Sequence, residues 1–506
     1  MASRKTAVLG VFLVFVPLVG CARDFVNAPY LQRPGRNEMT IMWSSRQPHA
    51  FRLEYGEGTA LTEKRDVEAL DPAKAVPPDT LYRIRLTGLR PGTTYRYVVA
   101  SDRSREEGTF RTVPAASEPF SFIAYGDSRT QIDRHESIAS CFLQHNPAFI
   151  IHTGDMVTTG AFGEWQPEFF GPLEKVLRHV PLWPARGNHD GGAVYAKMFE
   201  LPDGKTHYSF DYANAHFVCL DMNKSKNVLD WLEKDLASST ATWKFVFYHY
   251  PTYDAGAHRS GWGRGDLVPV LRGNRVDFAL AGHSHGYQRF RPLVGEGEKE
   301  KHPITFMVVA GGGAPLHRVE QDPHVAAAWH KYHYVRFDID GDTLSMKALT
   351  ADGEVLDSLR LTKKNGQFDE AYLAQAMPES TFGQLRNAIA PFFGGMVFPE
   401  LLTPDAFVPL TFPLGAGEYG MKFRVWLEER AQAGYEMTPV EGTVAAGKVT
   451  DVTISVRTRK DTARPGTLWP ILRLMCEYEI DGKKGKIYSG RLRCPEPIVE
   501  PGEKEE

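Results

Sequence analysis

The sequence has few cysteines and almost no net charge. Only five cysteines occur among 506 residues and none forms a CxxC pair, which excludes a cysteine-ligated zinc site. The net charge of -3 and the pI of about 6.6 leave no basic field to attract nucleic acid, so no nucleic-acid partner is expected. The composition is otherwise that of a globular protein, and 506 residues are too many for one hydrophobic core.

The N-terminal segment predicts export. Arg4 and Lys5 precede an apolar run over residues 7–19 that is too short to span a bilayer comfortably, and small residues then lead to Cys21. Residues 1–20 therefore resemble a bacterial lipoprotein signal peptide. Cys21 would be lipidated, and this anchor would be the only link between the protein and a membrane of the cell envelope. The alternative is an ordinary cleaved signal peptide with an incidental cysteine, which also places the protein outside the cytoplasm.

Three folded domains are predicted after this segment, and together they define a multidomain fold class. Residues 25–113 contain short runs of β-forming residues between Gly and Pro, which indicates an all-β sandwich. Over residues 118–362, apolar runs alternate with helix-length segments, which favours a layered α/β domain. We interpret residues 367–405 as a connector of helix and loops and residues 406–495 as a small C-terminal β-sandwich. Residues 496–506, rich in Pro and Glu, are expected to be disordered.

The remaining four cysteines divide into two pairs by their surroundings. Cys476 and Cys494 lie in strand-like runs near the C-terminus and can form a disulfide in an oxidising compartment. Cys141 and Cys219 are flanked by apolar residues, so we expect them to be small buried side chains.

Five short clusters of acidic, His and Asn residues follow apolar runs of the predicted α/β domain. Open α/β sheets bind ligands at the C-terminal ends of their strands, so these clusters are expected to share one cleft. A glycine precedes four of them, where it is expected to permit a tight turn. In chain order the clusters are Gly126-Asp127-Ser128-Arg129, Gly154-Asp155, Gly187-Asn188-His189-Asp190, His249 and Gly282-His283-Ser284-His285.

In this order the clusters resemble the calcineurin-like metallophosphoesterase superfamily. The first predicted domain is similar to a fibronectin type III sandwich, and with it the chain most resembles the purple acid phosphatases. The resemblance implies a hydrolase of phosphate esters that uses two divalent or trivalent metal ions bridged by Asp155. The remaining ligands implied are Asp127 and His285 for the first ion, and Asn188, His249 and His283 for the second.

The implied chemistry follows from these ligand types. Oxygen and imidazole ligands suit Fe, Mn, Zn or Co, and the sequence does not determine which two of these metals are bound. A hydroxide activated by the two ions is implied to attack phosphorus. His189 is implied to contact the phosphate, and His258 to protonate the leaving alkoxide, which suits an imidazole near neutral pH. The alternatives are a purely supporting role for His189 and a solvent-exposed loop position for His258.

The sequence departs from these relatives at the first metal site. Arg129 stands where the superfamily has the histidine of Asp-x-His, and Thr158 stands where purple acid phosphatases have the tyrosine that gives them their colour. Arg129 stays protonated and cannot bind a cation, so it either clamps a phosphate oxygen or pairs with a carboxylate. We therefore expect a weak first site, preparations with a single metal, and no purple colour.

Three functions remain open at this level. The leading prediction is an exported phosphomonoesterase acting on a small phosphate ester, and the second is a phosphodiesterase or nucleotidase that uses the same metals. The third is a surface binding protein with a decayed metal site. The loops over the cleft determine which ester is bound, and their conformation cannot be predicted from the sequence. The oligomeric state also stays open. Several other histidines, among them His317, match no partner pattern and are expected to be packing or surface residues.

Overall fold

The structure is a computed structural model, and the part of the chain that it describes has several gaps. The described ranges are 23–70, 79–116, 118–222, 224–297, 301–393, 396–400, 402–429, 431–459 and 471–493. The predicted signal segment with Cys21, the predicted tail and Cys494 lie outside them. Within them, no helix has the length and apolar character needed to cross a membrane. Cys141, Cys219 and Cys476 are buried.

The first seven strands form an N-terminal sandwich. Trp43 stacks on Tyr82 in its core at 5.4 Å between ring centroids, and both side chains are fully buried. One sheet has the order β4-β3-β6-β7, and β1, β2 and β5 belong to the other. The strands are β1 (Phe25–Gln32), β2 (Glu38–Ser45), β3 (Phe51–Glu57), β4 (Glu63–Val67), β5 (Thr80–Thr87), β6 (Thr94–Ala100) and β7 (Arg105–Arg111).

The central region contains two facing sheets with helices outside them. Its strands are β8 (Phe120–Tyr125), β9 (Ile150–His152), β10 (Leu182–Pro184), β11 (Tyr208–Tyr212), β12 (Ala215–Cys219), β13 (Trp243–Tyr248), β14 (Phe278–Ala281), β15 (Tyr287–Phe290), β16 (Leu293–Val294), β17 (Thr305–Val309), β18 (Val325–Trp329), β19 (Tyr334–Asp340), β20 (Thr343–Leu349) and β21 (Val355–Lys364). Its helices are α1 (Ile132–Ala139), α2 (Gly171–Leu177), α3 (Gly192–Met198), α4 (Lys226–Ser238) and α5 (Leu267–Gly273), with a π-helical turn at Trp165–Phe170 and 3₁₀ turns at Leu143–His145, Phe162–Glu164 and Pro202–Gly204.

The two central sheets pack through aromatic side chains. Phe122 of β8 meets Phe217 of β12 at 5.2 Å and Phe245 of β13 at 5.3 Å, edge to face in both cases. Strands β12, β13 and β14 are parallel and buried on both faces, which explains their continuous apolar runs. Leu232 of α4 and Leu271 of α5 cover the outer face of this second sheet. The resulting helix-and-sheet layers confirm the predicted α/β domain.

The first central sheet is continuous with the N-terminal sandwich. A hairpin strand, β22 (Gln367–Phe368), completes its edge, and its full order is β22-β21-β20-β19-β8-β9-β10-β1-β2-β5. The junction is a parallel pairing of Gln32 with Leu182. The second central sheet has the order β11-β12-β13-β14-β17-β15-β18. The shared sheet therefore places the N-terminal sandwich directly beside the central strands.

The C-terminal region forms a second β-sandwich after a short connector. The connector contains α6 (Glu370–Leu373), β23 (Met377–Pro378) and α7 (Gln384–Ile389), with 3₁₀ turns at Glu379–Thr381 and Ala390–Phe392. The sandwich has sheets β24-β28-β26 and β27-β25-β29-β30, which share a core of their own and confirm a separate β-rich region. Its strands are β24 (Val408–Gly415), β25 (Met421–Leu427), β26 (Tyr435–Met437), β27 (Val440–Val444), β28 (Val449–Thr458), β29 (Leu474–Ile480) and β30 (Lys483–Tyr488), with a 3₁₀ turn at Ala431–Ala433.

Candidate metal centre

The five clusters lie at one edge of the two central sheets. They follow the C-terminal ends of β8, β9 and β10 in the first sheet and of β13 and β14 in the second. Within each sheet these strands are parallel, so their C-terminal ends meet at the same edge. The strand order therefore brings together residues that are far apart in the sequence.

Three of the candidate ligands have a left-handed backbone. The φ angles of Asp127, Asp155 and His283 are 55°, 59° and 68°. A non-glycine residue held in a sparsely populated backbone region costs about 1–3 kcal/mol, and it persists only where the surroundings fix it. These turns aim the three side chains into one space, and such strain is typical of functional sites.

The glycines of these clusters mainly provide space. Only Gly154 has a positive φ, of 97°, so the expected turn-forming role holds there. A Cβ on Gly126 would lie 2.0 Å from Thr153 Oγ1, and one on Gly282 would lie 2.6 Å from Asp127 Oδ2. At those positions any side chain would push apart the segments that carry the candidate ligands.

The six predicted ligands come together in two overlapping groups. Their carboxylate oxygens and ring nitrogens lie within 4.8 Å of one another in each group. Asn188 joins the second group, with its Oδ1 2.9 Å from His249 Nε2. Asp155 belongs to both groups, as a bridging carboxylate must, and the donor set fits two metal ions. The groups are Asp127, Asp155 and His285, and Asp155, His249 and His283.

Hydrogen bonds to carbonyl oxygens orient two of the imidazoles. His249 Nδ1 donates to the carbonyl of Thr153 at 2.9 Å, and His285 Nδ1 donates to that of Pro315 at 2.7 Å. In the neutral ring, each bond holds the proton on Nδ1 and leaves Nε2 as the nitrogen available to bind a cation. Burial, together with the neighbouring His249, lowers the pKa of His283 to about 3, which favours its neutral, metal-binding form.

Asp190 connects the turns that carry Asp155 and Asn188. Its buried carboxylate accepts the N–H groups of Met156 and Gly187 at 2.6 Å each and that of Asp155 at 3.0 Å. Burial and then the charge of Asp155 raise the pKa of Asp190 to about 6 despite these bonds. The sequence pattern indicated no role for Asp190, although this residue ends the Gly187-Asn188-His189-Asp190 cluster.

Of the two positions that depart from the family pattern, Arg129 contacts the first group and Thr158 lies three residues after Asp155. Arg129 Nε is 3.4 Å from Asp155 Oδ2, so the carboxylate contact expected as one alternative is present. Thr158 Oγ1 donates to Glu168 Oε2 at 2.9 Å. Neither side chain is a member of the two candidate metal-binding groups. The first group therefore has three members, and phosphate clamping by Arg129 remains a prediction.

His189 and His258 both lie next to the ligand groups. His189 Nδ1 donates to the carbonyl of Thr158 at 2.5 Å, and its Nε2 is 3.9 Å from Asp155 Oδ2. His258 is exposed, which agrees with the alternative of a solvent-exposed loop position. Its ring nevertheless stacks on that of His283 at 4.1 Å between centroids. Both imidazoles can therefore reach a molecule bound at the two groups.

His317 also lies in the site, although the sequence pattern predicts a packing or surface residue at this position. Its ring stacks on that of His285 at 3.9 Å and meets His258 edge to face at 4.8 Å. Burial and the neighbouring His285 lower the pKa of His317 to about 4. The only available signal in the sequence was its position just after the Gly-rich run at 311–315.

The fold and the two groups that share Asp155 define a binuclear metal-binding α/β domain. The sequence profile of the calcineurin-like phosphoesterases matches residues 120–287, and that of the purple acid phosphatase N-terminal domain matches residues 27–123. The chain therefore contains a calcineurin-like phosphoesterase domain that follows a purple acid phosphatase N-terminal domain.

Known relatives are distant but consistent with this assignment. Purple acid phosphatase 15 of Arabidopsis thaliana is 25% identical over 294 residues, which cover 47% of this chain and 55% of the relative. Probable purple acid phosphatase 20 of the same plant is 22% identical over 322 residues, which cover 57% and 74%. The matches thus span little more than half the length of some relatives.

Solved structures share the fold. Purple acid phosphatase PPD1 from yellow lupin (Lupinus luteus) seeds superposes with a TM-score of 0.58 at 21% identity, covering 69% of this chain and 76% of that one. PhoD superposes with a TM-score of 0.53 at 11% identity, covering 69% and 92%. At this identity the likeness concerns the fold alone.

Proposed function

We propose that this chain is a metal-dependent phosphomonoesterase acting on a small phosphate ester. The observation that carries the proposal is that Asp155 belongs to two groups of ligands, one with His285 and one with His249. Two cations bound at neighbouring sites repel each other, and a carboxylate between them offsets this repulsion. Such pairs of metal ions are typical of phosphatases. The match to the calcineurin-like phosphoesterases supports the same reaction type.

The residues divide into those that would hold the metals and those that would handle the ester. Asp127, Asp155 and His285 would hold one ion, and Asp155, Asn188, His249 and His283 the other. When bound, the ions would supply an activated water molecule and would neutralise the negative charge that develops on the oxygens around phosphorus. The side chains around them then decide how the ester is placed.

Three neighbouring side chains are suited to that placement. Arg129, whose side chain is 14% exposed, presents its guanidinium at the mouth of the first group, where it can donate to phosphate oxygens. His189 can donate from Nε2, because its Nδ1 proton is held by the carbonyl of Thr158. His258, exposed beside His283, would protonate the leaving oxygen.

The proposal is tested by metal content and ester preference measured on one preparation. The chain beginning after Cys21 is expected to bind metal and to hydrolyse 4-nitrophenyl phosphate faster than bis(4-nitrophenyl) phosphate. The Asn188→Ala variant should lose both metal and activity. The control is Asn214→Ala, in which the lost side chain donates to Gly341 at the opposite edge of the sheets. A wild-type protein with neither bound metal nor activity contradicts the proposal.

We also propose that the protein is an exported lipoprotein of the bacterial cell envelope, attached to a membrane through Cys21 alone. The support is the order of basic, apolar and small residues before that cysteine. In a bacterial host, the full chain should carry a fatty acid and sediment with membranes, while the Cys21→Ser variant should do neither. Equal labelling of both proteins with fatty acid contradicts lipidation at this residue.

A further inference from the structure

A short segment, Leu316–Gln321, forms one wall of the site and is here called the His317 segment. The backbone N–H of His285 donates to Nδ1 of His317 at 3.2 Å. The two imidazole rings are nearly parallel, at 17°, with 3.9 Å between their centroids. His317 therefore lies against a candidate metal ligand through both its ring face and one nitrogen.

The hydrogen bond from His285 fixes the tautomer of His317. A backbone N–H can only donate, so Nδ1 of His317 must be the acceptor, and the neutral ring carries its proton on Nε2. Nδ1 lies at the backbone end of the stacked pair. Nε2 is therefore the ring nitrogen of His317 that is left to donate, and the ring lies against His285, whose own Nε2 is 3.3 Å from Asp127 Oδ1. Among the described residues, none accepts a hydrogen bond from Nε2 of His317.

The His317 segment is held in place from two sides. The N–H of Glu320 donates to the carbonyl of Ala255 at 2.8 Å, in the loop that leads to His258. Gln321 and Lys486 exchange backbone hydrogen bonds of 3.2 and 2.7 Å, which attach the segment to the C-terminal sandwich. A segment paired on both edges has little freedom to move, so the direction of the donor on His317 is set before any ligand binds.

We propose that His317 contacts the substrate by donating its Nε2–H to a non-bridging oxygen of the bound phosphate ester. The inference rests on the proposed function, since it supposes a phosphate at the two ligand groups. It assigns different tasks to neighbouring imidazoles: His317 binds the phosphoryl group, while His258 serves the leaving oxygen. The C-terminal sandwich contributes by holding the His317 segment.

The test compares two substitutions at His317 with the wild type after metal loading of the chain that begins after Cys21. His317→Phe keeps a flat ring for stacking and loses the donor, whereas His317→Gln keeps an N–H donor on a side chain of similar reach. Titration calorimetry with inorganic phosphate should show about tenfold weaker binding for the Phe variant, the loss expected for one hydrogen bond to a charged group. The Gln variant should recover part of this loss. Metal content should not change.

Further measurements separate the possible failures. In the Phe variant, kcat/KM should fall by the same factor for phenyl phosphate and 4-nitrophenyl phosphate, whereas His258→Phe should affect phenyl phosphate more strongly. Nitrogen NMR of the metal-free, ¹⁵N-histidine-labelled protein should show His317 protonated on Nε2. As a control, the exposed His330→Gln should match the wild type.

Phosphate binding in the Phe variant that equals that of the wild type overturns the inference, and so does a proton on Nδ1. A Phe variant whose phosphate affinity returns to the wild-type value at saturating metal also overturns it, because the residue would then act only on the metals. A wild type without metal or activity refutes the proposed function instead.

Discussion

Replacing Asp190 with Asn tests how the centre is held together. Oδ1 of Asp190 accepts from the N–H groups of Met156 at 2.6 Å and Val157 at 3.4 Å. Oδ2 accepts from those of Asp155 at 3.0 Å and Gly187 at 2.6 Å. The carboxylate is fully buried, so no water is available to replace either pair.

The magnitude follows from this geometry. In either orientation of the Asn amide, its NH₂ group replaces a carboxylate oxygen that accepts from two backbone N–H groups. One of these two backbone nitrogens, that of Met156 or that of Gly187, lies only 2.6 Å from the replaced oxygen. Each hydrogen bond to a charged group is worth about 1.5–3 kcal/mol, and two are lost. Burial of the carboxylate, which raises the pKa of Asp190 to about 6, offsets part of this. We expect a net loss of about 3 kcal/mol in the free energy of unfolding, and about 10–100-fold weaker metal binding because the Asp155 turn shifts.

The assay pairs denaturant unfolding of the central domain with metal titration. Asp357→Asn is the matched control, since Asp357 accepts from Arg289 Nε at 2.6 Å and from Tyr287 OH at 2.7 Å but belongs to neither ligand group. It should lower stability and leave metal affinity unchanged. Normal metal affinity in an Asp190→Asn protein that has lost stability would refute the reasoning, because the two turns would then keep their places without the carboxylate.

Three further predictions concern other parts of the chain. Despite burial, hydrogen bonds to two carboxylates raise the pKa of His216 from 6.5 to about 9, so its contribution of about 3 kcal/mol is complete below pH 6.5 and lost as the pH rises through 9. The difference in the free energy of unfolding between the wild type and His216→Gln, measured by urea unfolding, should therefore decrease as the pH rises from 6.5 through 9. A difference that does not depend on pH would count against the raised pKa of His216. Glu320→Gln removes ion pairs with Arg259 and Arg386. Because these pairs hold the His317 segment, kcat/KM should fall while the metal content stays unchanged. Loss of metal would contradict a role of Glu320 that is confined to the His317 segment. Iron-loaded protein should show no tyrosinate absorption in the visible region, since Thr158 cannot supply it, and such a band would count against the prediction.

The fold and the ligand groups were largely predictable because both depend on local patterns. Runs such as 120–124 and 278–281 are apolar since both faces of their strands are covered, and the structure has strands there. The candidate ligands follow these strands directly, so the parallel order was enough to expect them in one cleft. The continuity of the first sheet through Gln32 and Leu182 was not predictable, because one pairing between distant residues leaves no periodic signal.

The residues around the candidate ligands were less predictable than the ligands themselves. His317 matches no motif, and its position depends on a stack with His285 and on backbone pairing with the C-terminal sandwich. Both contacts join segments that are distant in sequence and are specified by tertiary packing. Asp190 lay inside a recognised motif, but its role as acceptor for two separate turns becomes visible only when those turns are placed together.

The exchange of a metal ligand for a cation at Arg129 has a consequence for the whole centre. A guanidinium 3.4 Å from Asp155 shares the carboxylate that both ions would need, and its fixed charge opposes a cation in the first group. The same charge would attract a phosphate, and under the proposed function it would favour dianionic monoesters over monoanionic diesters. The weak metal binding expected at the first group and the proposed preference for monoesters therefore share one physical origin, and removal of Arg129 should strengthen the first and reduce the second.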